Sequence, residues 1–228
     1  MVEVSHRQVM DWLRDAADPV HRAGLARYGI PIEPALGVPM GEIKRAAKRF
    51  GPAHDIVFSL WKTGIYEARV MAVHLADPDL MTRREADGWT RDFDNWAICD
   101  TAAFHLFDRT PFRWEAACDW ARDKREYVRR AGFATLWGLS VHDKAAPDEK
   151  FVAALDWASE AADDTREPVK KAIDMALRAV GKRNAALNIA ASRVAEELAA
   201  RSAPSARWIG RHALKELSSV KVRQKLDL

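Results

Sequence analysis

Apolar residues recur along nearly the whole chain at spacings of three and four, with charged residues between them. No run alternates apolar and polar side chains as a half-buried strand does, so the pattern predicts helices throughout. Residues 4–17 predict a first amphipathic helix ended by Asp18-Pro19, and Val20–Tyr28 predict a second. A loop rich in turn residues, G-I-P-I-E-P-A-L-G-V-P-M, follows. Residues 40–49 then predict a short basic helix stopped by Phe50-Gly51-Pro52, and Ala53–Lys62 with Tyr66–Leu75 a helical pair.

From Tyr66 onwards a rhythm emerges. Segments 66–76, 95–107, 126–137, 167–178 and 205–217 each begin polar or charged and run into an apolar helix rich in small residues. Their starts, Tyr66, Asn95, Glu126, Glu167 and Ser205, are spaced by 29, 31, 41 and 38 residues. That is the period of helix-pair repeats, which stack because one pair cannot bury its apolar face alone. The fold class expected is therefore all-α, a curved solenoid of stacked antiparallel helix pairs whose second helices line a concave face. An irregular helical bundle is the alternative.

Within that rhythm the stretch 92–107, D-F-D-N-W-A-I-C-D-T-A-A-F-H-L-F, stands out. Asp94 or Asn95 can cap a helix through a short side chain that accepts its orphan amides. Trp96 and Asp100 are then four residues apart and share a face, roughly 6 Å apart along the axis. An aromatic and a carboxylate presented together can bind an electron-poor ring or sugar and stabilise positive charge. A core tryptophan and a helix-surface aspartate is the plainer reading of the same pair.

Composition narrows the class. The chain has 228 residues, 48% apolar and 30% charged, which reads as a soluble globular protein and is expected to form a single domain over residues 1–228. No apolar run is long enough to span a membrane, and the N-terminus lacks a signal peptide's uninterrupted apolar stretch, so a cytoplasmic location is expected. Cys99 and Cys118 form neither a disulfide framework nor a zinc pattern, which fits a reducing compartment. Seven histidines without companion ligands predict no metal. The absence of G-x-x-x-x-G-K-[ST], G-x-G-x-x-G and G-x-S-x-G gives no support to nucleotide folds or the common serine hydrolases.

Charge adds a direction. Residues 166–228 hold 14 Lys/Arg against 6 Asp/Glu, whereas residues 1–165 hold 22 against 27. The surplus late in the chain implies a partner with negative charge. Arg129-Arg130, Lys170-Lys171 and Arg207/Arg211 recur near the starts of successive helices, where unpaired amides already favour anions. A row of such phosphate clamps suits a polymer; ordinary surface charge is the alternative. Of the nine tryptophans, Trp12, Trp61, Trp137 and Trp157 sit among apolar neighbours and are assigned to packing, while Trp89 is placed in a loop with Gly88.

Taken together, G-V-P-M-G-E-I-K-R-A-A-K-R-F-G (37–51), N-W-A-I-C-D (95–100), Y-V-R-R-A-G (127–132) and V-K-K-A-I-D-M-A-L-R (169–178) resemble the AlkD-like DNA alkylation repair family of HEAT-like repeat DNA glycosylases. The resemblance runs from about Ala26 to Leu217. It implies HEAT-like repeats whose concave basic face holds duplex DNA, and removal of cationic N3- and N7-alkylated purines with neither metal nor cofactor. Asp100 takes the place of the family's catalytic aspartate, Trp96 that of its sugar-contacting tryptophan and Arg130 that of its cleft arginine. Met175 stands where the family has a second cleft tryptophan; methionine lacks the flat, electron-rich face that favours cations. Tyr28 matches a tyrosine near the DNA, and Arg129, Lys171 and Arg211 complete the expected DNA-binding set.

On this resemblance the protein is a monofunctional alkylpurine DNA glycosylase acting as a monomer on alkylated duplex DNA, in the bacterial cytosol or at the nucleoid. A catalytically weak or inactive helical-repeat scaffold that binds nucleic acid or a protein partner is the alternative, favoured by Met175.

Overall fold

The computed structural model describes residues 4–228, and every regular element among them is a helix. The described residues fall into two compact units, one ending at Pro111 and the other spanning Phe112–Leu228.

The first unit holds α1 (His6–Asp15), α2 (Pro19–Leu25) with a 3-10 turn at Ala26–Tyr28, α3 (Met40–Phe50), α4 (His54–Lys62), α5 (Tyr66–Leu75), α6 (Arg83–Arg91) and α7 (Trp96–His105). Helix α5 is apolar on nearly every side, as a central helix must be, and packs on α3, α4 and α7. Its one buried carboxylate, Glu67, accepts the backbone amides of Leu36 at 2.8 Å and Gly37 at 2.7 Å, which ties the turn-rich loop to the core.

Two sequence expectations need correction here. Helix α1 is shorter than 4–17, because Ser5 and Gln8 form a capping box at one end and the helix stops at Asp15, leaving Asp18 to cap α2. Trp89 is not in a loop. Thr82 and Glu85 cap α6, and Trp89 on its buried face lies flat on Trp61, ring centroids 3.9 Å apart and planes 3° from parallel. That stack outweighs the helix-weakening Gly88 that had suggested a turn.

The second unit holds α8 (Arg113–Ala121), α9 (Glu126–His142), α10 (Asp148–Ala161), α11 (Glu167–Val180), α12 (Ala185–Ala200), α13 (Pro204–Leu217) and α14 (Val220–Lys225). Here the repeat is literal. Gly132 of α9 and Gly210 of α13 each occupy the seventh position of their helix, and a Cβ there would come within 2.2 Å of Ala121 N and 2.3 Å of Ala199 N. The absent side chain lets α8 and α9, and likewise α12 and α13, cross backbone to backbone.

The turns entering α9 and α11 are also copies, D-K-R-E and D-T-R-E, 41 residues apart. In both, the aspartate accepts the arginine's own backbone amide and clasps its guanidinium: Asp123 with Arg125 at 2.8 and 2.6 Å, Asp164 with Arg166 at 3.0 and 2.5 Å.

Candidate functional site

Helix α7 starts where sequence placed it, and Asn95 is the residue that caps it. Its side-chain oxygen accepts the amides of Ala97 at 3.0 Å and Ile98 at 3.1 Å, while Asp94 instead accepts from the Asn95 side-chain amide at 2.7 Å. With Asn95, Ala97, Ile98 and Cys99 buried, Trp96 is left on the outer face of the first turn, 41% exposed. The indole is still held, since Nε1 donates to the backbone carbonyl of Tyr28 at 2.7 Å. Tyr28 closes the 3-10 turn after α2, and Gly29 follows in the left-handed conformation that ends it. The Tyr28 side chain is 66% exposed, so this residue fixes the tryptophan through its carbonyl and leaves the phenol to solvent.

One turn on, Asp100 is half-buried on the same helix. The first unit thus carries an aromatic ring locked at its polar edge to the Tyr28 carbonyl, with a carboxylate one turn later on the same helix. A recess of about 250 Å³, counting the open solvent in it, lies beside the helix start and is lined by Pro34, Tyr66, Arg69, Asp94 and Asn95 among others. Arg69 is fixed there by the carbonyls of Trp61 and Asp92 and lies over the Trp61 ring. Burial and the neighbouring Glu67 hold the Tyr66 phenol protonated far above the ordinary tyrosine range.

The basic residues of the second unit divide into two sets. Arg129, Lys170 and Arg207 each occupy the fourth position of their helix, and each is engaged. Arg129 donates to the Asp123 carbonyl at 2.7 Å and to the Asp164 carboxylate at 2.9 Å. The Asp164 carboxyl, despite a burial effect that raises it, is held below the usual carboxylate range by Arg166 and Arg129. Lys170 pairs with Glu167 at 2.5 Å, and Arg207 donates to the carbonyl of Ser202.

Arg130 departs furthest from its sequence reading. It is 5% exposed, and Nη1 donates to the carbonyl of Pro168 at 2.6 Å, tying α9 to the start of α11. A guanidinium so placed links successive repeats, and both members of the Arg129-Arg130 pair are engaged within the protein. Lys171, with 61% of its side-chain surface exposed beside Glu167, and the exposed Arg211 are the members of the predicted row that solvent reaches. Met175 is half-buried on α11.

Among the described residues no group of three or more His, Cys, Asp or Glu side chains converges as a metal site would, and no helix is long and apolar enough to cross a membrane. The family model for the DNA alkylation repair enzyme matches residues 9–217. The chain belongs to that family. Its fold is shared with a solved structure described as a new family of proteins related to the HEAT-like repeat DNA glycosylases with affinity for branched DNA structures, at 22% identity and a TM-score of 0.76, covering 91% of this chain and 93% of that one. No individually curated protein matches the sequence.

Sequence reasoning missed the Tyr28 carbonyl as the anchor of Trp96, because a backbone acceptor 68 positions away leaves no trace in side-chain patterning. It also missed the repeated Asp-x-Arg-Glu turns, which were visible and show which cations are already committed.

Proposed function

We propose that this member of the DNA alkylation repair family hydrolyses the N-glycosidic bond of cationic N3- and N7-alkylated purines in duplex DNA. The observation that carries the reading is the pinned, 41% exposed Trp96 one turn before the half-buried Asp100 of the same helix, in a chain matched by the family model.

An alkylated purine of this kind carries positive charge and leaves as a neutral base. When the bond from C1′ breaks, its electron pair goes to the purine and the charge moves to the sugar. A fixed carboxylate stabilises that charge more as it develops, which is what lowers the barrier. The oxygen of a water molecule then bonds C1′, and its extra proton passes to the carboxylate or to solvent. Trp96 offers the negative face of its ring to the same cationic sugar. Its Nε1–H is already taken by Tyr28, so the ring is pre-oriented and no entropy is lost in orienting it during the reaction. Because the leaving group is activated, no acid is required on the base, and no cofactor enters any step. DNA is held through phosphates, with Lys171 and Arg211 of the second unit as the contacts that solvent already reaches.

The second reading, a DNA-binding protein without base excision, draws on three observations. These are Met175 on α11, the enclosed Arg130, and the likeness to a protein described by its affinity for branched DNA. The test is single-turnover release of N7-methylguanine from duplex DNA by wild type and Asp100→Asn at saturating protein, with binding to a four-way junction measured in parallel. Release by wild type that collapses in the variant supports excision. No release by wild type, with tighter binding to the junction than to duplex, supports the second reading.

A further inference from the structure

Helices α11 and α13 bring a buried carboxylate against an exposed imidazole. Asp174 is 2% exposed, and its two oxygens are divided between Arg178, whose Nε donates at 2.9 Å, and His212, whose Nδ1 lies at 2.9 Å. Yet 46% of the His212 side-chain surface remains open. The imidazole is stacked on Trp208, centroids 4.9 Å apart and planes 7° from parallel, and Trp208 is itself 37% exposed. The Lys170 ammonium stands 4.6 Å from the centre of the same indole. Nδ1 and Nε2 flank Cε1 and point in diverging directions, so anchoring Nδ1 to the buried oxygen turns Nε2 away from Asp174.

A brace between helices has no need of this exposure. Arg178 already pairs with Asp174 and also with Glu216, which Lys182 reaches at 2.6 Å. Those four groups balance, two anions and two cations, so the site is neutral while His212 is neutral and carries one net positive charge when it is protonated. Asp174 is the charged group that the imidazole touches, Arg178 shares that carboxylate, Glu216 and Lys182 join through Arg178, and Lys170, paired with Glu167, stands over the Trp208 ring on which the imidazole stacks. A charged imidazole held by a carboxylate and an indole, with exposed Lys171 and Arg211 in the same pair of helices, suits a phosphate oxygen.

We propose that His212 is a pH-dependent phosphate contact for nucleic acid on the second unit, donating from Nε2 to the DNA backbone when the imidazole is protonated. The proposal rests on the DNA-binding reading above, in either its excising or its non-excising form. The contact is made while the ring carries both protons and is lost when Nε2 gives its proton up, so it strengthens as pH falls.

The experiment is anisotropy of a labelled unmodified duplex, titrated with the full chain at several pH values and salt concentrations. Wild-type affinity falls roughly fivefold from the acid to the alkaline end, the size of one exposed ion pair. Its salt slope becomes shallower by about 0.9, one phosphate fewer. His212→Gln removes both changes and sits at the wild-type alkaline level. His212→Arg, charged throughout, sits at the acid level at every pH. A His212→Gln protein with the wild-type pH dependence, or a wild type whose affinity and salt slope ignore pH, overturns the proposal. Absence of binding at every pH to the duplex and to a labelled four-way junction measured alongside it instead overturns the DNA-binding reading beneath it, and the two failures are distinguished by whether any binding is seen.

Discussion

The two units use their polar residues in opposite ways. In the first, the two residues of the candidate site lie on α7, Trp96 exposed with its indole donating to the Tyr28 carbonyl and Asp100 half-buried one turn on, and the Tyr28 phenol is left to solvent. In the second, the cations that looked like a binding row are largely cross-braces. Arg129 and Arg166 share Asp164, Arg130 reaches Pro168, Arg183 reaches the carbonyls of Ser140 and Asp143, and Arg178 with Lys182 shares Glu216. By sequence the second unit has 22 Lys/Arg against 17 Asp/Glu and the first has 14 against 16. The richer charge of the second unit therefore overstates what is available to a ligand. A positive count measures composition, and only the hydrogen-bond partners show which charges remain for a polyanion.

That contrast is tested first by asking whether function and stability separate between the units. Asp100→Asn removes a charge from the first unit while keeping its shape. It should slow N7-methylguanine release by roughly 100- to 1000-fold, about 3–4 kcal/mol, as loss of one preorganised electrostatic contact does. The urea midpoint should move little. A large loss of stability with the rate intact would make Asp100 a structural residue.

Arg130→Ala should behave in the opposite manner. It deletes a buried charged donor and leaves the Pro168 carbonyl without it, a loss of about 2–3 kcal/mol of folding stability. Lys171→Ala, at the fifth position of α11 as Arg130 is of α9, should leave the denaturation midpoint unchanged and lower the salt slope of DNA binding by about 0.9. If Arg130→Ala keeps its stability and loses the slope instead, the cross-brace assignment fails and the clamp expected from sequence is restored.

Much of this was legible beforehand, and for physical reasons. The starts of α5, α7, α9, α11 and α13 follow to within one residue from apolar spacing and polar starts, which report burial directly, whereas α9 runs on to His142, five residues past the segment 126–137. Trp96 and Asp100 could be placed on one helix because an asparagine cap and a helical period need only local sequence. Trp89 was misplaced because its conformation is decided by stacking on Trp61, a contact across 28 positions that outweighs Gly88. The partners of Arg129 and Arg130 could not be read from sequence, because identical side chains serve as clamp or brace according to what lies opposite. Asp164 and the Pro168 carbonyl belong to the next repeat, so the distinction is tertiary. The Asp174–His212 pair escaped for the same reason, 38 residues separating its members.

The smallest effect concerns acid, where the comparison between the units is sharpest. The first unit has a histidine that resists protonation. His74 on α5 is held down to about pKa 4, chiefly by burial, then by His105 at 4.8 Å between ring centroids, and by Lys44 and Arg109. Its Nε2 is buried with no hydrogen-bond partner, so a proton there has no acceptor to share it. In the unfolded chain the same group takes up its proton near pH 6.5. Between those values the unfolded state binds more protons than the folded one, so stability rises with pH. The contribution is fully present above about pH 6.5 and is lost as pH falls towards 4. A shift of this size corresponds to about 3 kcal/mol as an upper bound, and partial exposure reduces it to about 1–2 kcal/mol. Replacing the imidazole by a ring of similar volume that cannot be protonated, His74→Phe, should flatten the pH dependence of the urea midpoint between about pH 4.5 and 7. DNA affinity in the variant should keep the pH dependence assigned to His212, because that group lies in the other unit. The same slope in His74→Phe as in wild type would remove His74 from the acid response and pass it to the carboxylates.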